Sequence, residues 1–341
     1  MSQLKEYLTY DDVLLVPQYS EIRSRNECNT RVYLDATLYL DIPLIASPMD
    51  TISGPEMANE MDRLGGMAII HRYNSIDEQV ALVKATGTRG KKKIGAAVGA
   101  TGDYLERSQE LVKAGVKVLC VDVAHGHHIL VEDALSALRR QHGNFIHIMA
   151  GNVATARGFA DLESWGADSI RIGVGNGSIC STRLQTGHGV PSFTLLQECA
   201  NVSKGTKLIA DGGLKTSGDI VKALAAGADA VMLGSMLSGT DACPGDTIER
   251  DGKYYKTYRG MASSEAQNAW RGKSSAPEGI SATVPYKGKL EDVVTNIVGG
   301  IRSGMSYSNA STLSDLQAKA QFIRQTGAGQ VESSTHILNR V

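Results

Sequence analysis

Eight short apolar runs recur along this chain and leave few folds open to it. They are Ile42–Pro48, Gly66–His71, Ile94–Gly99, Val118–Asp122, Ile146–Asn152, Ser169–Gly173, Leu208–Asp211 and Ala230–Gly234. Runs this short, rich in Val and Ile, read as parallel strands buried on both faces. Amphipathic segments lie between them, such as Tyr104–Ala114, Ile129–Arg140, Gly158–Trp165 and Ser217–Ala226. Gly115, Gly166 and Gly227 follow three of these, where a helix stops most easily on a residue free to turn left-handed. Strand–helix alternation repeated eight times predicts a (β/α)8 barrel, the TIM-barrel form of the α/β class. An open doubly wound sheet is the alternative. The barrel is preferred because polar residues or glycines follow nearly every run: Ser47 and Asp50, His71, Asp122 and His125, Asn152, a cysteine-bearing loop, Asp211-Gly-Gly213 and Gly234-Ser235. In a barrel those ends converge on one face, and the active site lies there.

The chain has 341 residues. That exceeds the ~100–200 of an ordinary domain, but α/β barrels commonly run longer as one domain. The expected organisation is a single barrel over 1–341, with an N-terminal extension, a mobile flap at about 262–277 and a C-terminal tail. Met1–Asp41 is expected to cover the barrel's bottom or a neighbouring subunit. Asp251-Gly252 reads as a hairpin turn. The net charge of −1 gives no basic excess for nucleic acid. Five widely spaced cysteines, without a C-x-x-C, fit reduced thiols in a cytoplasmic protein. The N-terminus shows no signal-peptide layout, and no apolar run approaches membrane-spanning length.

The loop Arg171-Ile-Gly-Val-Gly-Asn-Gly-Ser-Ile-Cys-Ser-Thr-Arg183 carries the chemistry. Gly173, Gly175 and Gly177 let the backbone approach a ligand closely. Ser178 offers a hydroxyl to phosphate, and Cys180 the best neutral-pH nucleophile among side chains. The bland reading is a buried thiol beside a glycine turn. Asp211-Gly-Gly213 and Gly234-Ser235 end the seventh and eighth runs, where barrels often bind phosphate, so with Ser178 they form a three-loop cradle. Ordinary strand-to-helix turns would look the same. Asp211 suits ribose hydroxyls and Asp122 a second sugar or a cofactor amide; either also suits a helix cap. His125, His127 and His128 lack a third ligand at zinc spacing. His71 is as open to a structural role as to a catalytic one. Thr182 lies near Cys180 but is a poor base without a carboxylate, for which Glu278 is the candidate.

These segments resemble a known family. Leu8-Thr-Tyr-Asp-Asp-Val-Leu-Leu-Val-Pro17, Ser47-Pro-Met-Asp-Thr51, Asp122-Val-Ala-His-Gly126, Ala150-Gly-Asn-Val153, Gly175–Thr182, Asp211–Gly213, Gly234-Ser-Met236 and Tyr258-Arg-Gly-Met261 are similar, in order, to signature segments of the IMP dehydrogenase / GMP reductase enzymes. The resemblance covers nearly the whole chain. It implies a tetrameric (β/α)8 barrel with Cys180 attacking purine C2, and Thr182 and Glu278 assisting. It implies a GMP or IMP site built from Ser47, Met49, Asn152, Ser178, Asp211, Gly213, Gly234, Ser235, Tyr258, Gly260 and Met261. Asp122, Ala124, His125, Trp270 and Arg271 are implied for the nicotinamide cofactor. Carbonyls of Gly175, Gly177 and Cys180, with Glu332 of a neighbouring subunit, are implied for potassium. Asn176 departs from the family's usual proline in that loop, and Ser181 from its usual threonine.

The family runs two reactions. The dehydrogenase oxidises IMP to XMP with NAD; the reductase takes ammonia from GMP and reduces the intermediate to IMP with NADPH. Residues 74–93 leave no room for the regulatory domain pair that dehydrogenases generally carry. Ala262–Pro277 lacks the Arg-Tyr pair with which dehydrogenases activate water, and Trp270-Arg271 resembles a reductase pair, as does Ser24–Thr30. Val284-Pro-Tyr-Lys-Gly288 and Gly327–Ser334 look more like dehydrogenase. The flap carries the step that differs, so GMP reductase with NADPH is the expectation. A dehydrogenase without regulatory domains is second. A silent nucleotide-binding scaffold is third, against which the retained Cys180 and Thr182 count.

Overall fold

The computed structural model describes residues 4–86 and 93–333. Each of the eight runs carries one strand: β1 Leu44–Ala46, β2 Met67–Ile70, β3 Ile94–Val98, β4 Val118–Asp122, β5 His147–Val153, β6 Ser169–Ile172, β7 Lys207–Asp211 and β8 Ala230–Leu233. All pair in parallel with their sequence neighbours, and β8 closes on β1 through Val231↔Leu44 and Leu233↔Ala46. The barrel is closed, so no edge is left to template another chain. Its strands are buried almost throughout, as continuous apolar runs require.

The helices follow from local chemistry. Ser75 and Glu78 make a reciprocal capping box on Ile76–Ala85, and Thr216 and Asp219 make one on Ser217–Ala225. Tyr104–Ala114 ends on Gly115 at φ 103°, as its sequence predicts. Phe159 and Leu162 seal one helix face against the barrel with no exposure.

The N-terminal segment serves both faces. Thr9, Tyr10 and Asp11 line the cavity above the strand ends. Lys222 Nζ holds the Tyr10 carbonyl at 2.8 Å. Farther on, the hairpin Val32–Tyr33 with Tyr39–Leu40 covers the opposite mouth, where Asp35 meets His147 at the start of β5. The bottom-covering expectation therefore holds for the hairpin, while residues 9–11 belong to the top. The tail returns to this segment: Phe322–Arg324 pairs antiparallel with Val13–Leu15. Ser334, the last residue of the tail motif, lies outside the described residues.

After the barrel, β9 Ile248–Arg250, β10 Lys253–Arg259 and β11 Ser281–Pro285 form an antiparallel sheet. The β9–β10 hairpin turns on Asp251 and Gly252 with φ of 52° and 70°, the positive pair a two-residue turn needs. Between β10 and β11 the flap carries a helix that its composition does not announce. Ser264–Arg271 is a helix capped by Ser263, and it buries Ala266 and Gln267. The anchors are one small and one polar residue, which a search for large apolar side chains passes over.

Candidate active site

The strand ends surround an open cavity of about 740 Å³, within the range of small-molecule sites. The Cys180 loop forms one wall. Gly173 leaves β6 at φ 137°, and a Cβ there would strike the Asp211 carbonyl. The close approach lets β6 and β7 deliver their loops side by side. Cys180 is half-buried, and its amide donates to Gly177 O at 3.1 Å.

Two distant segments meet at the thiol. Cys180 Sγ donates to Thr182 Oγ1 at 3.2 Å, and Thr182 Oγ1 donates to Glu278 Oε2 at 2.7 Å. Glu278 is brought there by backbone. Ser181 N donates to Glu278 O at 2.9 Å and Ile280 N to Ile179 O at 3.0 Å. The end of the flap is thus stitched to the Cys180 loop. Three proton-bearing or proton-accepting groups stand in line, and a proton can pass from sulfur to carboxylate along them.

A second wall carries the residues anticipated for the cradle. Ser47, Ser178, Gly213, Gly234, Ser235 and Tyr258 all line the cavity. Ser178 Oγ and Tyr258 OH lie 3.4 Å apart. Ser47 Oγ is buried without a partner. A buried hydroxyl without a partner is costly unless a ligand or water meets it. Burial raises the Tyr258 phenol, with the Ser178 bond opposing, so it remains a donor near neutrality. Met49, Gly260 and Met261 complete this side, and Asp50 N points at the Met261 sulfur at 3.3 Å.

Asp122, Asn152 and Asp211 line the remaining wall with Ala124. Neither aspartate caps a helix; both are held by Arg171, at 2.6 Å to Asp122 and 2.9 Å to Asp211. Arg171 appeared in the sequence only as the start of the glycine loop. Its signal was there: a charge inside a strand buried on both faces must find partners. Arg72 and Tyr73 were missed as well. Arg72 Nε donates to Asp122 O at 3.1 Å, and both residues line the cavity.

Some anticipated residues sit off the cavity wall. His125 is exposed and packs edge-on against His127, which pairs with Asp161 at 2.8 Å. His128 accepts from Leu130 N and caps the helix Ile129–His142. Among the described residues no group of three His, Cys, Asp or Glu side chains could hold a metal ion. His71 lies outside the lining, its Nδ1 buried without a partner and its carbonyl bound by Gln79. Arg271 lines the cavity, whereas Trp270 stacks on Tyr73 at 6.1 Å between centroids. Glu332 lines a separate shallow cleft with Leu14, Ile323 and Arg324.

A potassium ion would take carbonyl oxygens, which this loop offers through Gly175, Gly177 and Cys180. Gly177 O already accepts one amide and keeps a second lone pair. The donor chemistry therefore fits.

A family model for the IMP dehydrogenase / GMP reductase domain matches residues 7–336. The chain belongs to the IMP dehydrogenase / GMP reductase family. These are oxidoreductases acting on purine nucleotides, and the family uses NAD(P). The chain is 34% identical to an inosine-5'-monophosphate dehydrogenase of Nitrosopumilus maritimus (strain SCM1), covering 98% of this chain and 99% of the relative. It is 35% identical to a GMP reductase of Leishmania major, covering 99% and 98%. Those alignments run over 473 and 483 positions, so both relatives carry inserted sequence that these 341 residues lack. The missing insertion therefore does not separate the two activities. A solved GMP reductase from Trypanosoma brucei, a cysteine-to-alanine variant in complex with guanosine 5'-monophosphate, superposes with a TM-score of 0.92. It is 32% identical and covers 99% of each chain.

Proposed function

We propose that this member of the family is a GMP reductase that converts GMP to IMP and ammonia through a covalent adduct on Cys180. The observation that carries the reading is the Cys180–Thr182–Glu278 line of hydrogen bonds. Guanine C2 bears an amine, a poor leaving group unless it is protonated as it departs. The line takes the thiol proton toward Glu278 as sulfur attacks C2. Thr182 then returns a proton to the amine, and ammonia leaves a thioimidate. A bound NADPH would supply the hydride for this carbon; Cys180 would then leave as thiolate and IMP be released. Ser47, Ser178, Gly213, Gly234, Ser235 and Tyr258 would hold the phosphate. Asn152 and Asp211 would orient the ribose, with Met49, Gly260 and Met261 against the base. Asp122, Ala124, Trp270 and Arg271 would face the nicotinamide partner. A homotetramer with potassium at the Gly175–Cys180 carbonyls and the neighbour's Glu332 completes the proposal.

The flap supports the reductase. Residues 262–277 contain no Arg-Tyr pair to activate water, and their helix ends in Trp270 and Arg271 above the cavity. The second reading, oxidation of IMP to XMP with NAD, is favoured by the tail motif at Gly327. One assay separates them: GMP with NADPH and, in parallel, IMP with NAD, following nicotinamide absorbance, ammonia and XMP. Ammonia from GMP is expected. XMP from IMP without ammonia from GMP overturns the reductase.

A further inference from the structure

Strand β6 reads Ser169-Ile-Arg-Ile172 and is buried along its length. A guanidinium there is tolerable only when its donors are met. Nη1 of Arg171 donates to Asp122 Oδ1 at 2.6 Å. Nε and Nη2 both donate to Asp211 Oδ2, at 3.0 and 2.9 Å. Asn152 Nδ2 adds a third bond to that same Asp211 oxygen, at 2.9 Å. Burial opposes the charge of Arg171, but the carboxylates of Asp211 and Asp122 outweigh it and hold the group protonated.

Every hydrogen bond the described residues give these two carboxylate groups thus falls on one oxygen of each. Asp211 Oδ1 and Asp122 Oδ2 accept none, and both aspartates line the cavity. Arg72 Nε stands 3.8 Å from Asp122 Oδ2, an ion-pair distance rather than a bond. One planar fork therefore sets the tilt of two carboxylates at once.

The geometry points to Arg171 as a positioning residue that couples the nucleotide subsite at Asp211 to the dinucleotide subsite at Asp122. The inference rests on the assignment of those subsites above. Hydroxyl donors on Asp211 Oδ1 fix that carboxylate and hence the Nε–Nη2 edge of the guanidinium. The plane is rigid, so Nη1 and Asp122 are fixed with it. Ordering at one subsite is then already done when the other fills, and the effect is reciprocal.

Calorimetric binding of GMP, with no dinucleotide present, tests this. Asp122→Asn alters a group on the far side of the guanidinium from the ribose. It is expected to weaken GMP binding about 3- to 10-fold when Arg171 is present, as coupled neighbours do. In an Arg171→Lys background, where charge is kept but the fork is lost, Asp122→Asn is expected to add nothing. The reciprocal measurement is NADP+ affinity, which Asp211→Asn should weaken by a comparable factor only with Arg171 present; thermal melting identifies any variant that fails to fold, and the other arm then decides. Unchanged GMP affinity in Asp122→Asn, or losses that multiply independently in the double variant, overturn the coupling. A native protein that binds neither GMP nor IMP overturns instead the functional reading on which it rests.

Discussion

Thr182 alone is a weak acid and a weaker base; the carboxylate 2.7 Å away gives it a use. Glu278→Gln keeps an acceptor for the threonine hydroxyl but can no longer take or return a full proton. General acid–base help of this kind is worth about 10²–10⁴ in rate. Ammonia release from GMP should fall by that order, and single-turnover hydride transfer from IMP to NADP+ by far less. Equal losses in the two steps would remove Glu278 from the proton path. Cys180→Ala should abolish both steps while GMP still binds, because the change leaves Ser178 in place and Asp211 and the other cradle groups come from other loops; substantial turnover in this variant would end the covalent mechanism. Cys120 makes a useful contrast. Burial pushes its thiol up to about 12, so a thiol-alkylating reagent should label Cys180 and spare Cys120 in the native protein. At this scale the sequence was readable where a residue stands in a distinctive loop, as Cys180, Ser178 and Asp211 do. It was harder to read for Arg171, whose burial calls for partners without naming Asp122 and Asp211, and for Tyr73, whose partner Trp270 comes from the flap helix.

Short apolar runs and capping residues gave the barrel strands and helices their approximate bounds, because both signals are local. The flap helix was harder to see, since Ser263 caps a segment that buries only Ala266 and Gln267. The hairpin on the barrel floor was foreseen only as a cover. What fixes it is a buried His147 that bonds Asp35 at 2.9 Å on one ring nitrogen and Ser169 Oγ at 2.8 Å on the other. Serine, histidine and aspartate in line resemble a catalytic triad, but Ser169 is fully buried, so the line acts as a clamp. The His147 bond, helped by the Thr37 and Leu38 amides, holds the Asp35 carboxyl well below its usual range. A depressed acid stabilises the fold above its unfolded pKa of about 3.9, and the contribution fades as pH falls toward the folded value. Asp35→Asn should therefore melt below the native protein at neutral pH, with the gap narrowing below about pH 4. A gap that is constant with pH would mean the carboxylate charge is not what clamps the hairpin.

Assembly belongs to the whole molecule, and the chain's own surface argues for it. Leu4, Ile323 and Val331 are 97%, 51% and 69% exposed, and all belong to the N-terminal segment and tail that pack together. Leu184, four residues past Cys180, is 87% exposed. A contact surface between copies would cover such side chains where it brings them together. Glu332 lines a cleft apart from the Cys180 cavity of its own chain, so the proposed carbonyl site would take its Glu332 from another copy. Tetramer and potassium dependence are therefore one expectation. Sedimentation at micromolar concentration should show a tetramer. Replacing potassium with a bulky organic cation should lower turnover reversibly without dissociating it, and Glu332→Ala should raise the potassium needed for half-maximal rate. The alanine change leaves every cavity-lining side chain of its own subunit in place, so a shifted potassium requirement reports the neighbour's contribution. A fully active monomer would remove the shared site altogether. An active tetramer indifferent to both cation and Glu332 would keep the assembly and leave the Cys180 loop ordered by protein contacts alone, chief among them the pairing of Ile179–Ser181 with Glu278–Ile280.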